Sequence, residues 1–513
     1  MANDKMDRRV FGKYLAGSTA AFVAGANGAS AKEPVVDAIT RPSNTMLLDG
    51  GGQSVWNSTA QHVRTSGWIS PDGKVFHEAA RNIPIVEEDE VIVCGGGPAG
   101  FAAALASARS GAKTRLLEVN GCVGGVWTAG ALTLIIDAQN KPGIMREILQ
   151  KLDDRGASNT LSNGSVAYDT EKTKLLLEDL LLEAGVKIQL HTRVVGAVTD
   201  INNRLSVIVT ESKSGRQAWR AKSFIDCSGD GDLAAQAGCG YEFGQPGTGL
   251  TQPMSLMVLL TGVTTDGIAR FVRGDAEPRK LGNPKKNLLA EFQRAGVDPS
   301  YGGPTIFRVR DGLYAMMANH EYGTLAIDAA HVTDATLQAR REVHKLVNSL
   351  KTLGDPWTNL EIIATAEQIG TREGRRILGR YHVTAEDLKK GARFDDAICH
   401  VRFGIDVHST NPGKTKAIEK KPFKSKPYDI PLRALIARDV TGLMMAGRCI
   451  SGDFIAHSSY RVTGNAVAMG EAAGVASAVA ASTGKLPHEV PFSDVSKQLA
   501  QLRSEKKTQQ VKS

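Results

Sequence analysis

Three glycines and one carboxylate carry the most legible chemistry in the chain. Residues 91–118 read VIVCGGGPAGFAAALASARSGAKTRLLE: an apolar run enters Gly95-x-Gly97-x-x-Gly100, an Ala-rich stretch follows, and a second apolar run ends at Glu118. Gly95 permits a tight turn, Gly97 lets backbone approach a pyrophosphate, and Gly100 lets a helix pack closely on a strand. The unpaired N–H groups and positive dipole end of that helix favour a phosphate, while an acid about 20 residues downstream binds a ribose hydroxyl. Strand, turn, helix, strand and acid in that order predict a dinucleotide-binding unit rather than an ordinary glycine-rich turn.

A second set of residues could move protons or fix an anion. Arg372, Glu373, Arg375 and Arg376 fall in TREGRR, where helical spacing puts Arg372, Arg375 and Arg376 on one face. That face serves a substrate or is a solvated, salt-bridged surface. Asp406 and His408 are two apart, so on a strand they point the same way, and a carboxylate beside an imidazole tunes it as a base. His457, Tyr460 and Arg461 precede a small-residue helical segment, GNAVAMGEAAGVASAVAAS, that starts at Gly464. For any single histidine, a satisfied position in the core is the plain alternative.

The elements that must hold these residues follow from periodicity. Residues 169–184, DTEKTKLLLEDLLLEA, show helical spacing that stops at Gly185, and VKIQLH reads as a strand. RVVGAVTDI, RLSVIVTES and AWRAKSFID, separated by polar turns, predict an antiparallel meander over 193–226. It leads into Cys227-Ser228-Gly229-Asp230-Gly231-Asp232, a second place where backbone can approach a nucleotide closely. The apolar stretch ALTLIID is open between strand and helix. DATLQARREVHKLVNSLKTL predicts a helix, and the chain returns to a strand near Leu443.

Length and composition set outer bounds. A chain of 513 residues with 42% hydrophobic and 23% charged residues is long enough for several domains and ordinary for a globular enzyme. Arg8 and Arg9 stand ahead of Phe11 and Lys13, and a mildly apolar stretch runs to Ala29-Ser30-Ala31. These features predict a twin-arginine export signal, hence the export machinery as a partner and a periplasmic or secreted location; a flexible basic N-terminus is the simpler alternative. No other run reaches about 18 apolar residues, so no stable membrane anchor is expected. The net charge of +8 is concentrated at the two ends, so nucleic-acid binding is not inferred. The last residues, RSEKKTQQVKS, read as a solvated, disordered tail. The six cysteines contain no C-x-x-C pair, which argues against an iron–sulfur or structural zinc site, so no metal is expected.

Five segments together resemble the FAD-dependent oxidoreductases of the glutathione-reductase-like flavoprotein superfamily, in particular the bacterial family related to heterodisulfide reductase flavoprotein subunits. They are VIVCGGGPAG, NGCVGGVWTAG, FIDCSGDGDLAAQAG, IGTREGRRILGRYHVTAEDL and LMMAGRCISGDFIAHSSYRVTGNAVAMGEAAG, within residues 85–485. The resemblance implies an FAD cofactor and an α/β fold: a Rossmann-like FAD-binding domain, parallel sheet plus antiparallel meander, with an inserted α+β substrate domain. It implies that Gly95, Gly97, Pro98, Ala99 and Gly100 line the pyrophosphate and that Glu118 takes the adenosine ribose. Gly124, Gly125 and Trp127 would approach the flavin end, Val194 the adenine, and Ser228, Gly229 and Asp230 the phosphates. Gly447, Arg448, Arg461, Asn465 and Ala466 would run past the isoalloxazine ring. A helix starting near Gly464 would aim its positive end at the edge of the ring where reduction builds negative charge.

The chain departs from its cluster-bearing and disulfide-reducing relatives, because their cysteine motifs and a second nicotinamide-type glycine motif have no counterpart. The implied activity is therefore that of an exported oxidoreductase, acting by hydride transfer at flavin N5 on a small organic substrate, with an undefined electron acceptor. His457, Arg461, His408 and Arg372 are the candidate catalytic residues. An FAD-containing lyase or isomerase acting on a sugar or polysaccharide without net redox, and an electron-relay flavoprotein, are the alternatives. The expected organisation is a signal over 1–31, an extended preface over 32–88, FAD-binding segments at 89–244 and 431–485 around a substrate domain at 245–430, and a tail from 486.

Overall fold

The computed structural model describes residues 66–274 and 281–510. The export signal expected at 1–31 and most of the preface lie outside the described residues. A short hairpin, Gly67–Ile69 with Phe76–Glu78, precedes the first long strand.

That strand, β1 (Ile85–Cys94), runs into α1 (Pro98–Arg109) and β2 (Thr114–Leu117). After α2 (Thr170–Glu183) come β3 (Lys187–Gln189), β4 (Arg193–Thr199), β5 (Leu205–Ser212) and β6 (Gly215–Asp226). The middle of the chain supplies β7 (Val258–Thr261), β8 (Thr305–Arg310), β9 (Leu313–Met317), α3 (Ala329–Lys351) and β10 (Glu361–Thr365). The chain then returns through β11 (Leu443–Met445), α4 (Phe454–Tyr460), α5 (Thr463–Thr483) and α6 (Phe492–Gln510).

The first sheet has the order β3-β2-β1-β6-β5-β4, with β11 added beside β6. Strands β1, β2, β3, β6 and β11 pair in parallel, whereas β4, β5 and β6 form the antiparallel meander. This register explains the composition of β1. Only its last four residues, Val91–Cys94, lie between two parallel neighbours, and these are its buried apolar run. The second sheet, β8-β9-β7-β10, is antiparallel throughout. Val258, Phe271, Phe292 and Trp357 fill a core of their own beside it. The stretch between the two returns apolar side chains to the first core, among them Ile377, Tyr428 and Ile430.

The small residues of α5 have a specific cause. A Cβ on Gly470 would stand 2.0 Å from the Ala99 carbonyl oxygen, and one on Gly474 would stand 2.2 Å from that of Ala103. Helices α1 and α5 thus meet backbone to backbone under the first sheet. By length and hydropathy α5 could cross a membrane, but 83% of its most apolar window is buried inside the protein, as befits a core helix.

Three local expectations resolve or change. ALTLIID contributes a two-residue strand, Leu134–Ile135. The helix expected over Arg372–Arg376 does not form: Gly374 packs where any Cβ would stand 2.1 Å from Asp230 Oδ1, and Arg376 begins a short strand. The tail expected to be disordered is instead helical to Gln510, because Val495 and Leu499 are buried against the core and Arg503 pairs with the buried Glu471 at 2.8 Å.

Candidate active site

The glycine loop and the middle sheet face one cavity of about 330 Å³, which extends from Glu118 and Gly97 to Arg372 and His408. At its nucleotide end the sequence dictates close backbone contacts. A Cβ on Gly95 would stand 2.5 Å from the Cys227 carbonyl oxygen, and one on Gly100 would stand 1.7 Å from that of Gly95. A Cβ on Gly97 would instead meet no protein atom, although Gly97 lines the cavity. The first two glycines let strand, loop and helix touch, while the third leaves room for a ligand. Helix α1 starts at Gly97 with no side-chain cap, so its first N–H groups are available to an anion.

Glu118 is buried and fixes the loop as well as facing the cavity. Its Oε2 accepts the Gly96 N–H, and its Oε1 accepts the backbone and side-chain N–H groups of Asn120 at 2.8 and 2.7 Å. Burial pushes its carboxyl above the ordinary value, against the pull of those donors. Across the cavity Arg448 donates to Asp230 Oδ1 at 2.6 Å and caps the second glycine turn. Thr463, the first residue of α5, lines the cavity with a buried hydroxyl that has no protein partner.

The opposite end is built from side chains on four separate segments. Asp406 and His408 share an extended stretch, and His408 is tied to the neighbouring loop by an isolated bridge to Ile418. His408 Nε2 stands 3.4 Å from Asp406 Oδ2, and His408 Nδ1 stands 3.0 Å from Nε2 of His320. The other nitrogen of His320 is 3.1 Å from the Tyr322 hydroxyl, which lies 3.2 Å from the Ser300 carbonyl oxygen. The Tyr322 hydroxyl proton serves either the Ser300 carbonyl or His320 Nδ1, which stand at nearly equal distances, so the line Tyr322–His320–His408 has two donor orders. One presents the Nε2 lone pair of His408, and the other presents Nε2–H to the Asp406 carboxylate.

Burial, followed by the Arg372 charge, lowers His408 to about 3, so its imidazole is neutral at pH 7. Burial and the same arginine push His320 down still further. Burial alone would raise Asp406, but His408, Arg461 and Arg372 outweigh it and keep the carboxylate ionised. Arg461 donates to the Asp406 carbonyl at 2.9 Å and lies 3.5 Å from its carboxylate. Arg372 donates to the Pro253 carbonyl at 2.6 Å and to Ser255 Oγ at 2.9 Å; burial and Arg461 lower it to about 10, which leaves it a cation.

The sequence model of the FAD dependent oxidoreductase family matches residues 90–499. The chain belongs to this family. Its cofactor is FAD, and its fold is the mixed α/β fold of FAD-binding oxidoreductases. No curated protein matches the chain. Among solved structures, it is similar to a geranylgeranyl bacteriochlorophyll reductase-like protein from Thermoplasma acidophilum, with 13% identity and a TM-score of 0.39 over 83% of this chain and 84% of that one. It is also similar to p-nitrophenol 4-monooxygenase from Pseudomonas putida, with 15% identity and a TM-score of 0.36 over 58% of this chain and 70% of that one. A third is the anhydrotetracycline hydroxylase of Streptomyces rimosus, with 12% identity and a TM-score of 0.40 over 82% and 66% of the two chains.

The residues of this FAD oxidoreductase fit the cofactor at three points: the uncapped start of α1 beside Gly97, the Glu118 carboxylate, and the orphaned Thr463 hydroxyl. Of the residues expected at the FAD site, Gly95, Gly97, Pro98, Ala99, Glu118, Gly125, Val194, Ser228, Gly229, Gly447, Arg448 and Ala466 line the cavity. Gly100, Gly124, Trp127, Asp230 and Asn465 do not, and each has another place. Gly100 packs under the loop, and Gly124 donates its N–H to the Gly96 carbonyl at 2.7 Å. Trp127 is fully buried with its carbonyl accepting from Tyr168, Asp230 holds Arg448, and Asn465 is fully buried against Cys399.

Of the four candidate catalytic residues, the structure brings Arg372, His408 and Arg461 together on the cavity wall. It does not bring His457 there. Helix α4 turns that ring into the core, fully buried against Tyr460 with neither nitrogen in a regular hydrogen bond, and burial first, then Arg376, pushes its basicity well down. Arg375 and Arg376 are also spent elsewhere, on Asp232 and on Glu373 respectively. Sequence reasoning missed His320, Tyr322, Ser300 and Gln252. Of these, only the run Asn319-His320-Glu321-Tyr322, polar yet adjoining the apolar β9, carried a signal.

Proposed function

We propose that this FAD oxidoreductase oxidises a small organic substrate by transfer of a hydride to flavin N5, with His408 as the base. The reading is supported above all by one observation: His408, held neutral at pH 7 by burial and 3.4 Å from the Asp406 carboxylate, stands on the wall of the cavity that also holds the glycine loop. FAD when bound supplies a two-electron acceptor. The protein supplies the rest. At a carbon bearing a hydroxyl, the C–H electron pair leaves with its hydrogen as the hydride, the hydroxyl proton passes to His408 Nε2, and the carbon–oxygen bond becomes a carbonyl. The imidazolium formed faces Asp406 at 3.4 Å, the carboxylate placed to stabilise it. Arg461 holds Asp406 in position through its carbonyl, and Gln252 Oε1 accepts from both Arg461 and the backbone N–H of His408.

The subgroup and the location belong to the same proposal. The five motif segments support the glutathione-reductase-like subgroup, while the missing redox cysteine pair near Gly124 and the missing second dinucleotide motif argue against disulfide reduction. Arg8-Arg9, the short apolar stretch and Ala29-Ser30-Ala31 support export by the twin-arginine route to the periplasm or beyond, with the cofactor acquired before transport. The electron acceptor is a separate partner. Anaerobic mixing of the purified yellow protein with alcohols, sugars, hydroxy acids and amines tests the chemistry: bleaching of the flavin by one class is expected. Product formed under persistent flavin colour would replace the oxidoreductase reading with a lyase or isomerase.

A further inference from the structure

Arg372 is a buried cation without a carboxylate of its own. Its relative exposure is 9%, and no acidic side chain lies within ion-pair distance of it among the described residues. Of the other arginines at the cavity, Arg448 has Asp230 at 2.6 Å and Arg461 has Asp406 at 3.5 Å, whereas Arg193 is exposed to solvent. One buried charge in this region is therefore left for something outside the protein to balance, since burying an unpaired ion is costly.

Its hydrogen bonds show which edge is left. Nη1 spends both protons on the Pro253 carbonyl and Ser255 Oγ, whereas Nη2 touches only the Met317 sulfur at 3.4 Å and Nε has no protein partner. The Nη1 bonds anchor the guanidinium plane. The Nε–Nη2 edge, two parallel N–H donors, is the geometry that grips a carboxylate with two bonds at once. The walls nearby, Leu134, Ile136, Met257 and Met317, are apolar and suit a small carbon body rather than a second charge.

We infer that Arg372 seats a carboxylate of the substrate, so that the substrate class is a small organic acid with an apolar body. The inference rests on the reading of this cavity as the place of substrate oxidation. It gives Arg372 a role distinct from that of His408: one holds the acid, the other takes the proton. A carboxylate there also offsets the charge that, after burial, most suppresses His408, so the base is stronger with substrate in place than without it.

Oxalate and oxamide test this, being nearly isosteric, one anionic and one neutral. Calorimetric titration of the FAD-loaded protein, together with the perturbation of its visible flavin spectrum, should show oxalate binding and no oxamide binding. Arg372→Met should weaken oxalate at least about 10-fold, Arg372→Lys should recover part of the loss, and FAD content should be unchanged in both, which shows that they fold. Equal binding of oxalate and oxamide, oxalate binding unaltered in Arg372→Met, or inorganic phosphate binding as tightly as oxalate would each overturn the assignment. The outcome separates from that of the oxidation reading. Oxalate that binds through Arg372 while no acid bleaches the flavin leaves the seat standing and removes the redox role. Neutral alcohols that bleach it while oxalate fails to bind do the reverse.

Discussion

Two regions close on the same cavity by opposite means. On the nucleotide side, α1, α5, β1 and β6 approach with almost no side chain between them: Gly100 meets the Gly95 carbonyl, Gly95 meets Cys227, and Gly470 meets Ala99. On the substrate side, polar side chains set the contacts: Tyr322, His320 and His408 form one hydrogen-bonded line, and Arg372 is anchored separately on Pro253 and Ser255. The first design fixes backbone, so it holds a ligand common to a whole family. The second fixes protonation and charge, which one substitution can change without moving the backbone. Binding of FAD and turnover of substrate should therefore be separable by mutation.

The largest separation is expected at His408. His408→Asn should lower kcat by about 10²–10⁴ while the protein still carries its full complement of FAD, because a general base contributes on that scale and His408 lies at the far end of the cavity from Glu118. Concurrent loss of bound flavin would mean that the two regions are not independent. Glu118→Ala should do the reverse. Removing a carboxylate that orders Gly96 and Asn120 and faces the ribose position should weaken FAD about 10–100-fold, on the scale of charge-assisted hydrogen bonds, with kcat unchanged once FAD is saturating. Equilibrium dialysis against free FAD measures it.

A smaller effect probes the line behind His408. Tyr322→Phe removes the hydroxyl that holds His320 Nδ1 and frees His320 to turn over, so His408 loses a fixed partner; kcat should fall about 3–10-fold with KM little changed, the size of one net hydrogen bond. Tyr322 is a positioning residue in this account. The pH profile is the discriminating readout: the variant's acid limb should move, whereas a purely structural defect would scale the whole profile.

A separate effect, outside the active-site kinetics, is on stability in acid. His408, His320 and His457 all have folded-state values below the ordinary histidine value of 6.5, chiefly through burial. Below pH 6.5 the unfolded chain takes up protons that the folded protein refuses, so stability should fall as pH drops from about 6.5 towards 3, by at most about 1.4 kcal/mol per pH unit for each ring. His457→Leu should make that decline shallower than in the parent protein, measured by denaturant unfolding between pH 7 and 4.

The contrast between the regions also explains what could be read from sequence. Gly95, Gly97, Gly100 and Glu118 are legible because the whole nucleotide unit is one continuous segment, and each glycine answers a local steric demand. Asp406 and His408 were accessible for the same reason, being two residues apart on one extended stretch. His320 was not, since its bond to His408 spans 88 residues and the polar run around it does not point to that partner. Arg372 was found for the wrong reason: the helical face expected for TREGRR is absent, and tertiary partners at Asp232, Glu373 and Pro253 set those side chains instead. His457 shows the limit of proximity in sequence, because it lies four residues from Arg461 and still points into the core.

Anaerobic rapid mixing of the FAD-loaded protein with a small organic acid that bleaches it tests the central claim most directly, with parent and His408→Asn compared side by side. The account predicts that flavin absorbance decays about 10²–10⁴ more slowly in the variant at equal bound FAD. Equal decay rates in the two proteins would contradict His408 as the base.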